Sequence, residues 1–185
     1  MKNLFNMPSL DISYSDFLEK IELTYINKIM SQLSHIKNTE KGKLRFFSNV
    51  YTTFELQKYL TFGISKSFTL FLSKIRLSAH SLAIETGRYN KPFTAAEERY
   101  CKYCLNQVEN EKHFLLYCPL YNSIRESLQS IFKYSQNYAE DDLLLQILNP
   151  INPQDTKYIC LFIKESFTKR ETFKGKFVFF LILLL

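Results

Sequence analysis

The run Cys101-Lys-Tyr-Cys104-Leu-Asn-Gln-Val-Glu-Asn-Glu-Lys-His113-Phe-Leu-Leu-Tyr-Cys118 gathers three of the chain's four cysteines and one of its three histidines. Zinc takes four thiolate or imidazole ligands in a tetrahedron, and structural sites fill all four positions from the protein. The C-x2-C turn places two sulfurs on one side of a metal, and His113 and Cys118 close it from the start of the next helical stretch. The expected cofactor is one structural zinc ion held by Cys101, Cys104, His113 and Cys118. A closed shell leaves no position for a reactive water, so Glu109 and Glu111 are read as charges at a helix N-terminus rather than as catalytic groups.

Outward from this run the pattern is helical. Ile21, Tyr25, Ile29, Leu33 and Ile36 recur at spacings of four and three, as on an amphipathic helix. Ser13 or Ser15 suits its N-cap, with Asp16 and Glu19 in the first turn. A shorter helix is expected from Thr53 to Leu60, ended by a turn at Gly63. Leu72, Ile75, Ala79 and Leu82 share one face of a further helix, and Gly87 stands where a left-handed stop would fall. Arg88 to Glu98 reads as a loop, since Pro92 excludes regular helix there. Pro119 suits a first helical turn, continued by Leu120, Ile124, Leu128 and Ile131. Asn149-Pro-Ile-Asn-Pro153 is a break, and a final helix follows from Thr156 to Lys169. The fold class expected is mainly α, a small helical domain with an embedded CCHC zinc-binding element. The divisions are an N-terminal helical segment at 1–43, the helical region with the zinc element at 44–170, and a basic then apolar tail at 171–185.

The composition agrees. With 46% hydrophobic and 23% charged residues the 185-residue chain is globular, and 4 Gly and 5 Pro do not suit a turn-rich β fold. The net charge is +6, and residues 74–104 alone hold six Lys/Arg against three Asp/Glu. Such a balance favours acidic partners. No secretory signal precedes the cysteines, which points to an intracellular compartment, nuclear or cytoplasmic. The apolar run Phe177 to Leu185 falls short of the ~20 residues that span a bilayer, so membrane attachment is not expected. Cys160 reads as a buried thiol in an apolar run. No Ser/His/Asp set, phosphate-binding Gly loop or carboxylate pair stands out, and neither enzyme activity nor a small-molecule substrate is expected.

Three blocks carry a family resemblance: Leu77-Ser-Ala-His-Ser-Leu-Ala-Ile-Glu-Thr-Gly-Arg-Tyr89, Glu98-Arg-Tyr-Cys-Lys-Tyr-Cys104, and Val108-Glu-Asn-Glu-Lys-His-Phe-Leu-Leu-Tyr-Cys-Pro-Leu-Tyr121 with Arg125. Together they resemble the C-terminal zinc-binding region of reverse transcriptases from non-LTR (LINE-like) retrotransposons. A fainter echo lies in Leu44-Arg-Phe-Phe and Phe54-Glu-Leu-Gln-Lys-Tyr-Leu60. The resemblance implies a CCHC element that follows the polymerase and helps engage RNA or DNA. It carries the metal role to Cys101, Cys104, His113 and Cys118, and nucleic-acid contact to Arg76, His80, Arg88 and Arg99. It also implies a reverse transcriptase core as a packing partner. Neither polymerase nor endonuclease signatures occur in the chain, so the expectation is a piece of a retrotransposon reading frame that binds zinc and nucleic acid. The alternatives are a zinc-stapled helical scaffold for protein interaction and an inert retroelement remnant.

Overall fold

The computed structural model describes residues 13–38, 47–51, 55–105, 107–127 and 139–183. The chain is mainly helical. Its α-helices are α1 (Tyr14–Asn38), α2 (Phe47–Val50), α3 (Lys58–Thr61), α4 (Lys66–Arg76), α5 (Ala83–Thr86), α6 (Asn122–Ser127), α7 (Glu140–Leu148) and α8 (Pro153–Leu183). Among the described residues there is no strand, and a single antiparallel bridge joins Tyr100 to Val108. No helix of the described residues is long and apolar enough to cross a membrane.

Local chemistry accounts for several boundaries. The Ser13 hydroxyl accepts the Asp16 N–H at 3.2 Å, so Ser13 rather than Ser15 caps α1. Asn152 caps α8 by accepting the Asp155 N–H at 2.8 Å, while its amide donates to the Asp155 carboxylate at 2.7 Å. Pro153 then occupies the first helical position, where no N–H is required. Pro119 does the same for the 3-10 turn Pro119–Tyr121 that leads into α6; Leu128 and Ile131 lie outside the described residues. α8 runs on past Lys169 to Leu183, so the division drawn at 171 falls inside one continuous helix.

Two expected helices end differently. Of the stretch 53–60, residues 55–57 are not helical, and only Lys58–Thr61 forms a helix; Thr53 and Phe54 lie outside the described residues. Extended backbone at Gln57 lets its amide oxygen accept from Arg76, which a helix there would prevent. The helix through Leu72 and Ile75 stops at Arg76 instead of continuing to Leu82. Ser78 takes the left-handed conformation at φ 51°, the Ala79 N–H reaches Lys74 O at 2.8 Å, and the Ser78 N–H reaches Ile75 O at 3.1 Å. That pair of bonds is a Schellman stop, with serine where glycine is usual. Gly87, expected as the stop, is right-handed at φ −63°. Its lack of a side chain serves packing, because a Cβ there would lie 2.6 Å from Cδ of Arg99.

α4 packs against α8, and this pair organises the core. Leu72 and Ile75 from α4 and Ile159, Phe162 and Ile163 from α8 are fully buried with Leu148 of α7. The Phe114 ring joins them to the metal end, with centroids 5.0 Å from Tyr121 and 4.9 Å from Phe167. Arg76, 1% exposed, leaves α4 to donate to Leu148 O, Asn149 Oδ1 and Gln57 Oε1, with its guanidinium over Tyr59. No described residue of α1 belongs to this core, and α1 contacts α2, whose Val50 does. Ile29 and Leu33 are half-buried, whereas Ile21 and Tyr25 stay more than half exposed and the side chain of Ile36 lies outside the described residues.

The two glycines separate backbone from packing constraints. Gly63 has φ +66° with open space where a Cβ would stand, so Gly63→Ala should cost about 1–2 kcal/mol and Gly63→Asn less. Gly87→Ala carries no backbone strain yet should cost about 1–3 kcal/mol by displacing Arg99. Urea denaturation of the three variants checks this, and a neutral Gly87→Ala would contradict the packing account.

Candidate metal centre

The first ligand pair sits on a tight hairpin. Glu109 N–H donates to Arg99 O and Cys101 N–H to Gln107 O, both at 2.9 Å, which sets the bridge between Tyr100 and Val108. Inside it the chain turns at 102–104, Leu105 N–H returns to Cys101 O at 2.9 Å, and Leu105 is left-handed at φ 58°. This knuckle brings Cys101 and Cys104 to one side.

The second pair depends on an unusual helix. Asn110 starts it by accepting the His113 N–H on its side-chain oxygen at 2.8 Å. From His113 to Tyr117 the coil widens to π-type, and the Cys118 N–H reaches back five residues to His113 O at 2.8 Å. On an α-helix residues five apart point roughly 140° apart. The wider turn brings them near one face, which is how π-turns serve sites. Arg125 locks the exit by donating to Leu115 O at 3.0 Å and to Cys118 O at 3.3 Å.

The four donor atoms of Cys101, Cys104, His113 and Cys118 all lie within 4.8 Å of one another and could hold a metal ion. Cys101 Sγ is 3.9 Å from Cys118 Sγ, and Cys104 Sγ is 3.4 Å from His113 Nε2. None of these sulfurs is in a disulfide, since 3.9 Å is far beyond an S–S bond. Cys101 and Cys118 are fully buried, His113 nearly so, and Cys104 is half-buried. Gln107 Oε1 lies 3.0 Å from His113 Nδ1. An amide oxygen only accepts, so Nδ1 carries the proton and the Nε2 lone pair faces the sulfurs. The hydrogen bond between Cys101 and Cys118 pushes the Cys101 thiol up to about 12, helped by burial, and the same bond lowers Cys118. A metal must displace that proton, so occupancy should rise with pH and fall on acidification.

Glu111 does stand in the first turn of the helical stretch that begins after Asn110, but neither it nor Glu109 is a surface charge. Both are 1% exposed. Glu109 accepts the Ala83 N–H at 2.7 Å at the start of α5 and forms a buried ion pair with Arg170 of α8. Glu111 accepts from Ser78 Oγ at 3.3 Å and lies 3.1 Å from His80 Nε2.

The basic residues singled out from the sequence are turned inward. Arg76 spends its donors on the acceptors described above, and burial lowers its pKa. The side chain of His80 is 1% exposed. Arg99, 5% exposed, donates to Ile84 O at 2.6 Å and to Thr94 O. Arg88 keeps 19% of its side chain exposed and pairs with Glu85 at 2.8 Å. These placements give the four residues structural bonds and do not bring them together as a cationic surface. Cys160 is fully buried on α8 and outside the cluster.

Sequence reasoning missed Gln107, Glu109 and Arg170 as parts of the site. Arg170 left one trace: Ile159, Ile163, Ser166 and Arg170 recur at core spacing on α8, and a charge in a core stripe needs a buried partner. Compared with protein-family models, curated proteins and solved structures, the chain matches none.

Gln107→Leu removes the bond that orients His113. It should weaken metal binding about 10–100-fold while leaving one ion per chain at saturation. Chelator competition measures the affinity; an unchanged value would mean the imidazole is oriented by its helix alone.

Proposed function

We propose that the chain is a zinc-stapled helical module that binds nucleic acid, akin to the zinc-binding region of a non-LTR retrotransposon reverse transcriptase. The observation that carries the zinc reading is the set of four donor atoms within 4.8 Å. A tetrahedral zinc with Zn–S near ~2.3 Å and Zn–N near ~2.0 Å has S···S edges of ~3.8 Å and S···N edges of ~3.5 Å. The separations of 3.9 and 3.4 Å lie close to those edges. Three soft thiolates and an imidazole favour zinc over magnesium or calcium, which take oxygen ligands. Four protein ligands complete the shell, so the ion's contribution is to folding.

The nucleic-acid reading is supported by the sequence resemblance and by the net charge of +6. Contact is expected from exposed lysines, such as Lys66 and Lys74 on α4, Lys91 and Lys102 around the knuckle, and Lys157 and Lys164 on α8. A second reading, a scaffold for protein interaction, is favoured by α1, where Tyr14, Phe17, Ile21 and Tyr25 are each more than half exposed.

The purified chain should bind one zinc, and Cys104→Ser should lose metal and helical structure together. Retention of one tightly held zinc by that variant would refute the ligand set. RNA binding at low salt should weaken with a log–log slope of about −0.7 to −0.9 for each phosphate neutralised. Absence of binding at low salt, with a stable protein complex on sizing, would favour the scaffold instead.

A further inference from the structure

Arg170 sits well down α8, yet its guanidinium reaches the metal end. Its Nη1 and Nη2 grip the two oxygens of Glu109, and Nη2 also donates to Ser81 O at 3.0 Å. The guanidinium lies over the Tyr103 ring, and the Tyr103 hydroxyl returns to Arg170 O at 3.0 Å. Tyr103 belongs to the knuckle between Cys101 and Cys104. The oxygen of Glu109 held by Nη1 is also 3.7 Å from Cys101 Sγ.

This contact changes character when a metal binds. As a thiol with its proton turned to Cys118, Cys101 meets the Glu109 carboxylate as a neutral group. As a metal-bound thiolate it is anionic, and two negative groups then face each other in a buried site. Zinc with three thiolates and a neutral imidazole carries one net negative charge, and Glu109 adds another. Among the described residues, the cation in direct contact with Glu109 is Arg170.

Resting on the metal reading above, we propose that Arg170, acting through Glu109, is the charge-compensating positioning residue of the metal centre. It links zinc occupancy and the docking of α8 in one equilibrium. Docking of α8 raises zinc affinity by neutralising the carboxylate beside Cys101, and zinc stabilises the docking of α8 by the same factor. The knuckle is thereby tied to a helix whose first residue, Pro153, stands well beyond Glu109 in the chain.

The test is zinc affinity by chelator competition on the full chain, with cobalt(II) absorption to report the thiolate ligands. The variants are Arg170→Met, Arg170→Lys, Glu109→Gln and the double variant Glu109→Gln/Arg170→Met. Arg170→Met should weaken zinc about 10–100-fold. Arg170→Lys should recover part of the loss, and the double variant most of it, because a neutral amide no longer opposes the Cys101 thiolate. Hydrogen exchange in α8 should slow on zinc addition in the wild type and respond less in Arg170→Met. If Arg170→Met instead lowers the melting temperature equally with and without zinc, and zinc affinity stays within about twofold, the pair is a structural staple and the proposal is overturned. Should Arg170→Met fail to fold, the double variant and Arg170→Lys decide. Near wild-type affinity in the double variant with a severalfold loss in Arg170→Lys supports the proposal; wild-type affinity in Arg170→Lys, or affinity in the double variant as weak as that of Cys104→Ser, overturns it. A wild-type chain that binds no zinc fails the metal reading itself, a result distinct from normal wild-type binding with insensitive variants.

Discussion

The Glu109 carboxylate is the point on which the metal end of the molecule depends. It accepts from Arg170 of α8 and from the first N–H of α5, and it touches the sulfur of Cys101. At 1% exposure, an unpaired carboxylate would cost several kcal/mol, so its partners must be in place whenever the fold is. That requirement fixes the hairpin, the start of α5 and the distal part of α8 relative to one another. Hydrophobic packing alone would leave their relative sliding weakly specified. Phe114, between Tyr121 and Phe167, supplies apolar contact to the same junction.

Arginine does similar work elsewhere. From residue 77 to 110 the chain has little regular structure, and its carbonyls need donors. Arg99 supplies them to Ile84 and Thr94, Arg170 to Ser81, and Arg76 to Leu148 at the end of α7. A guanidinium has five N–H groups in a fixed plane and can satisfy several acceptors at once, which a lysine cannot do with the same geometry. The close approach of Gly87 to Arg99 belongs to this arrangement, since the side chain needs the space a Cβ would fill.

What could be read from the sequence was what local chemistry controls. The cap at Ser13 or Ser15, the break before Pro153, the helical turn at Pro119 and the four clustered Cys and His residues each follow from neighbours a few positions away. What could not be read depends on partners distant in sequence. The stop at Ser78 rather than Gly87 is held by a bond to Glu111, and extended Gln57 answers to Arg76. The π-turn from His113 to Cys118 escapes periodicity analysis because one wide turn of five residues leaves no repeating pattern. Which four residues gather was legible while the device that aligns the second pair was not.

The placement of the arginines also changes what the basic composition means. Of the six cations between residues 74 and 104, Arg76 and Arg99 are buried and Arg88 is paired with Glu85, leaving Lys74, Lys91 and Lys102 exposed. Glu97 and Glu98 are exposed in the same segment and oppose them. The local field is therefore weaker than the count suggests. A phosphate backbone approaching these residues would meet lysine ammonium groups, which act as point charges, and not the planar guanidinium forks that read guanine edges. Nucleic-acid affinity of this origin is salt-sensitive and indifferent to sequence. Any sequence preference would have to come from a different surface than the one the resemblance pointed to.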